Sequence, residues 1–135
     1  MKIAIVSEMR INSHEFDFPT ARKFVKSLES ENISLLVVIG NTFCSIYSYS
    51  DLYDDWEIKK AIIDITPTQM LEYLFNKVNC NKIFIPGSTD PTSSNWPQPP
   101  MNSHLFDGVS SVESCTNPSS FLINGIKFLV CSGDA

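Results

Sequence analysis

Histidine is scarce in this chain of 135 residues: His14 and His104 are the only two. The four cysteines, at 44, 80, 115 and 131, form no C-x-x-C pair and have no Cys/His ligand spacing, which argues against a zinc site. They read instead as small hydrophobes on or beside apolar strands. Glycine is also sparse, and none falls between Ser7 and Asn12. A glycine-rich phosphate loop after the first strand, as nucleotide- and flavin-binding domains require, is therefore absent. Ten Lys and Arg stand against fifteen Asp and Glu, for a net charge of −5, and no basic cluster interrupts the sequence. A phosphate-binding groove needs concentrated positive charge, so this chain by itself is not expected to form one, although a partner could. No apolar run approaches the ~18 residues of a membrane span, and the apolar part of "MKIAIVSE" is too short for a signal peptide. The expectation is an intracellular, reduced protein, in which Asn32-Ile33-Ser34 is a chance glycosylation sequon.

What is present is enough for a core: 43% hydrophobic residues, nine of them Phe. Residues 2–6, "KIAIV", form a continuous apolar run, the pattern of a strand covered on both faces. From Asp17 to Ser30, Phe18, Ala21, Phe24, Val25 and Leu28 recur at helical spacing. Asp17 or Thr20 can cap this helix, and Pro19 is tolerated in its first turn. "ISLLVVI" (33–39) is a second buried strand ended by Gly40-Asn41. The serine- and aromatic-rich stretch from 44 to 65 resists assignment, with a helical turn or two expected over Asp54–Ile63. Thr66-Pro67-Thr68-Gln69 is a capping box with proline at the first helical position. It opens a helix to about Val78, with Met70, Leu71, Leu74, Phe75 and Val78 on its apolar face. "KIFIP" (82–86) is the third strand. Alternating strands and helices imply parallel strands joined by crossovers. Thereafter "SVESC" (111–115), "SSFLI" (119–123) and "IKFLVCS" (126–132) read as short strands of an antiparallel portion, with Asn124-Gly125 as a hairpin turn. The fold class expected is α/β, a parallel β-α-β core leading into antiparallel strands, with no linker dividing residues 1–135.

In such a sheet, function gathers at the carboxyl ends of the strands. Here these read Val6-Ser7-Glu8-Met9, Ile39-Gly40-Asn41-Thr42 and Pro86-Gly87-Ser88-Thr89-Asp90. The scaffold resembles that of calcineurin-like phosphoesterases, whose strand ends read Asp-x-His, Gly-Asp and Gly-Asn-His-Asp. Carboxylates there bridge two cations, while imidazole and amide groups complete their shells. Against that pattern Ser7 and Met9 replace Asp and His, Asn41 replaces the bridging Asp, Ser88 and Thr89 replace Asn and His, and Asp90 alone remains. The resemblance thus implies an inactivated metal site at Ser7, Met9, Asn41, Ser88, Thr89 and Asp90, with no catalytic residue, metal or cofactor.

A second resemblance covers essentially the whole chain. "IAIVSE", "LLVVIGN", "IPGSTDPTSSNWPQPPMNSHLF" and "CTNPSSFLINGIKFLVCSGDA" are similar, in order, to motifs of the small (B) subunits of replicative DNA polymerases, most closely the delta type. This implies a partial phosphoesterase-like sandwich, lacking the oligonucleotide-binding-fold domain of that family and expected to be truncated. It implies a nuclear, non-catalytic accessory subunit in DNA replication. Its partners would be the catalytic subunit of the delta polymerase and a further small subunit, with DNA reached only through the complex and no membrane involved. The alternatives are the B-type subunit of the alpha or epsilon polymerase, or an active metal-dependent phosphoesterase. Gly87 and Pro91 read as structural turn residues, Gly87 permitting a positive φ and Asp90-Pro91 suiting an Asx-type turn. Trp96, Pro97, Gln98, Pro99 and Pro100 read as a stiffened segment packed on the domain or on a partner. A polyproline ligand is the weaker reading there, and Trp96 is either an interface anchor or a core closure. The acidic and aromatic stretch Tyr47–Glu57 is a loop or a contact surface.

Overall fold

The computed structural model describes residues 1–11, 13, 16–44, 66–93 and 95–133. The expected helical turn at Asp54–Ile63, the stretch Tyr47–Glu57 and His14 lie outside the described residues. The elements run β1 (Ile3–Ser7), α1 (Phe18–Ser30), β2 (Leu35–Ile39), α2 (Pro67–Phe75), β3 (Asn81–Ile85), a 3-10 turn (Ser103–Phe106), β4 (Val112–Ser114), β5 (Ser119–Ile123) and β6 (Ile126–Val130).

Both helices begin where their caps dictate. Asp17 accepts from the Thr20 N–H, with Pro19 in the first turn. The Thr66 hydroxyl accepts from Gln69 N–H at 3.2 Å while the Gln69 side chain accepts from Thr66 N–H at 2.8 Å, a reciprocal capping box. The regular helix ends at Phe75, a turn short of the expected Val78, which instead donates its N–H to the Phe75 carbonyl at 3.1 Å.

The four strands β1-β2-β3-β4 form one sheet, every pair parallel. Ser7, Ile39 and Ile85 are in register, so the first three strands end at one level. Two sequence expectations change here. Residues 112–114 do not belong to the antiparallel part: they pair parallel with Lys82–Phe84, because the long connection 86–111 carries the chain back across the sheet without a regular α-helix. The apolar run of β1 is not covered on both faces either; β1 is an edge strand and Ile5 is 62% exposed. Among the described residues the antiparallel strand pair is β5-β6, joined by Asn124 (φ +50°) and Gly125 (φ +79°), the backbone that a two-residue primed hairpin turn requires.

Strands β2 and β3 are buried from both sides by alternation. Leu36, Val38 and Phe84 face α1 and α2, meeting Val25, Leu28, Leu71, Leu74 and Phe75, with Met101, Phe106 and Val109 from the long connection closing the layer. Phe84 packs edge-on to Phe75 (6.3 Å) and against Phe106 (4.6 Å). On the other face Leu35, Val37, Ile83 and Ile85 meet Phe121, Ile123 and Val130 of the hairpin. Lys82 is the exception in this core: fully buried, its ammonium donates to the carbonyls of Cys80 and Ser110, each at 2.9 Å. It thereby fastens the start of β3 to the segment entering β4, and burial pulls its pKa below the usual value for lysine. No disulfide joins the four cysteines; Cys80 is buried and Cys131 exposed.

Candidate functional site

The strand-end positions do come together, since register places the ends of β1, β2 and β3 side by side. Main-chain bonds lace them: Glu8 N–H to Gly40 O (3.2 Å), Gly40 N–H to Ile85 O (2.7 Å), Arg10 N–H to Asn41 O (2.9 Å). Gly40 and Asn41 both hold positive φ, +70° and +53°, a conformation that glycine and asparagine adopt most readily. That turns the Asn41 side chain into the protein, where Nδ2 donates to Glu8 Oε1 at 2.6 Å and Oδ1 accepts from Thr89 N–H at 3.1 Å. The Thr89 hydroxyl lies 2.9 Å from that same Oδ1 and 2.6 Å from the Phe43 carbonyl. Ser7 and Ser88 are exposed, and Met9 is half-buried against the helix-side core.

Asp90 also points inward. It is 5% exposed; Oδ1 accepts from Phe43 N–H and Oδ2 from Gly87 N–H, both at 2.8 Å. Burial pushes its carboxyl above the ordinary carboxylate value, and the N–H groups of Phe43, Gly87, Thr42 and Asn41 offset this in part. The bond back to Gly87 takes the place of the expected Asx-type turn, and Thr92 N–H goes to the Asp90 main-chain carbonyl instead (2.8 Å).

Gly87 is required here for space. It does not hold the positive φ that the sequence led us to expect. A Cβ at this position would lie 2.5 Å from Asn41 Oδ1, 2.6 Å from Asn41 N and 2.9 Å from Gly40 Cα, so β2 and β3 close on one another only through a residue without a side chain.

The proline-rich segment joins this arrangement through its one buried side chain. Gln98 Nε2 donates to Gly87 O at 2.8 Å, and Gln98 pairs main chain to main chain with Asn117 in an isolated antiparallel bridge. Asn117, fully buried, donates from Nδ2 to Gln98 Oε1 (3.1 Å) and Ser132 Oγ (2.7 Å) and accepts from Ser132 N–H (3.1 Å). The Pro-Gly, Pro-Gln, Thr-Asn-Pro and Ser-Gly stretches, scattered in sequence, thus meet in one polar network. Pro91, Pro97, Pro99 and Pro100 are exposed; the Thr92 hydroxyl donates to the Pro99 carbonyl at 3.1 Å. Trp96 is 48% exposed and belongs to neither core layer.

Sequence reading did not find Glu8 as the partner of Asn41, nor the inward orientation of Gln98 and Asp90. Glu8's place directly after a strand end was the available signal. His104 pairs with Asp107 on the surface (3.3 Å), remote from this network in the connection before β4. Among the described residues no three His, Cys, Asp or Glu side chains gather in a way that could hold a metal ion.

Fold and strand ends together define a class: a parallel α/β sheet with helices on one face and a hairpin on the other, its strand-end edge closed by its own polar groups. The chain belongs to the family of DNA polymerase alpha/epsilon B subunits, which it matches over residues 3–135. It is similar to the DNA polymerase delta small subunit of Saccharomyces cerevisiae, 29% identical over 149 aligned positions that take in 98% of this chain and 30% of that relative. It is also similar to the protein of the same name in Arabidopsis thaliana, 46% identical over 52 residues, 36% of this chain and 12% of that one. The corresponding protein of Oryza sativa subsp. japonica is 36% identical over 52 residues. The chain therefore spans less than a third of each of these relatives.

Proposed function

We propose that the chain serves as part of a non-catalytic accessory subunit of a replicative DNA polymerase of the delta type, working in the nucleus. It would link the catalytic subunit to a further small subunit, and reach DNA only through the complex. The observation that carries this reading is the inward-facing Asp90 carboxylate, both of whose oxygens accept main-chain N–H groups. A dinuclear metal centre does not fit such residues. The retained carboxylate is turned away from the strand-end surface, Asn41 is neutral and engaged with Glu8 and Thr89, and Ser7 and Met9 offer a hydroxyl and a thioether where hard cations need carboxylates. Ser7, Met9, Asn41, Ser88, Thr89 and Asp90 are read as the positions of a lost metal site.

The contact surfaces proposed are Trp96, held at the rim of the network, and the outer face of the hairpin, where Leu122 and Leu129 are 72% and 78% exposed. Exposed aromatic and aliphatic side chains of this size mark surfaces that partners cover. The family description names alpha and epsilon polymerases, which keeps that alternative in view, but the three named relatives are all delta small subunits.

The test is co-purification. The chain, exchanged for the matching segment of the yeast relative, is expected to be retained by the C-terminal region of the delta catalytic subunit as the unaltered relative is. Loss of retention by a chimera that still unfolds cooperatively would overturn the reading.

A further inference from the structure

The first two helices carry a feature that the strand-end network does not use. Along the groove between α1 and α2, Arg22 and Lys26 stand one turn apart on α1, and Lys77 follows the end of α2. None of the three forms a hydrogen bond or ion pair among the described residues. The floor of the groove is apolar, Val25 and Leu74, and its wall is Tyr73, 54% exposed and braced by Phe18 at 5.6 Å. In a chain with net charge −5, this is a local reversal of sign: three cations against a single lining acid, Glu29. None of the groove's lining residues is among the strand-end residues Ser7, Asn41, Thr89 and Asp90. The groove is thus a separate surface.

We infer that this groove docks an acidic peptide segment bearing one aliphatic or aromatic anchor residue, supplied by a partner protein. The cleft measures about 140 Å³, below the roughly 300 Å³ at which small-molecule pockets begin and on the scale of one inserted side chain. Carboxylates flanking that anchor would meet Arg22, Lys26 and Lys77, and the apolar floor would take the side chain between them, the mode of a short motif laid between two helices. A nucleic-acid backbone fits less well. Its phosphates are evenly spaced and demand an unbroken basic track, whereas Glu29 interrupts this one and the floor offers only Val25 and Leu74. The inference stands on these residues alone and does not depend on the polymerase reading.

The experiment measures binding of a fluorescent peptide of Asp and Glu around a central Leu to the full chain by anisotropy, at two salt concentrations. The comparison ligands are the same peptide with Ser in place of Leu and a single-stranded oligonucleotide of equal charge. The expected result is binding that weakens with salt, weakens again without the Leu, and falls about tenfold or more in Arg22→Glu/Lys26→Glu. Both substituted side chains are exposed, and a circular dichroism spectrum matching that of the unsubstituted chain shows that the fold is kept. Lys127→Glu, on the hairpin, is expected to leave binding unchanged. Equal loss in Lys127→Glu, indifference to the Leu, or tighter binding of the oligonucleotide would each overturn the proposal, the last by making the groove a nucleic-acid surface.

Discussion

A carboxylate that accepts from Gly87 and Phe43 inside the protein cannot be removed without leaving two main-chain N–H groups buried and unpaired. Asp90→Ala is therefore expected to lower stability by about 2–4 kcal/mol in urea unfolding. The pH dependence has a definite sign. The folded-state pKa of Asp90 lies above its unfolded value, so the folded chain binds the proton more tightly. The group's contribution is then most favourable at acid pH and declines as pH rises through the interval between the two pKa values. The stability of the wild type relative to Asp90→Asn should accordingly fall as pH is raised from about 4 towards neutrality; a relative stability that rises would contradict the buried placement. Gly87→Ala should destabilise by more than the ~0.4–1 kcal/mol that Gly→Ala gains at a position with room for it, because its Cβ would meet Asn41 main chain at 2.6 Å. Gly108→Ala, where the nearest atoms are the movable end of Glu72, should cost much less. At this scale the sequence was legible in part. It located the turn and singled out Asp90, but side-chain direction depends on which strand end lies opposite, and only the register of β2 with β3 decides that.

At the level of elements, the fold is held at its strand ends by contacts between segments far apart in sequence. Asn117 ties Gln98 to Ser132, and so joins the proline-rich connection to the chain leaving the hairpin. Asn117→Ala should destabilise by about 2–3 kcal/mol, since it strands polar groups on two other segments. In a double-mutant cycle with Gln98→Ala the effects should be less than additive, because the two share a bond. Elements with local signals were read correctly: the capping box at Thr66, the Asp17 cap, the Asn-Gly turn. What sequence could not supply was non-local. "SVESC" is equally strand-like in a parallel or antiparallel setting, and only the path of residues 86–111 makes Val112–Ser114 the fourth parallel strand. In the same way, the apolar run of β1 cannot reveal that the hairpin stops short of Ile5. Lys82 breaks the apolar pattern of its strand, a visible signal, yet its burial depends on the nearby Cys80 carbonyl and on the Ser110 carbonyl from the segment entering β4.

For the molecule as a whole, two kinds of surface follow from these contacts. The strand-end edge is closed by its own hydrogen bonds, while Leu122 and Leu129 on the outer face of the hairpin, and separately Trp96, are exposed. On the proposed reading such a protein acts by presenting shape, and membership of the polymerase B-subunit family accords with that. The proposal that the enzyme-like edge has lost its reaction is most directly tested by hydrolysis of bis-p-nitrophenyl phosphate by the chain with added manganese. The expected result is no release of p-nitrophenolate above the metal-only blank at any chain concentration. Metal-dependent turnover rising in proportion to chain concentration would contradict it.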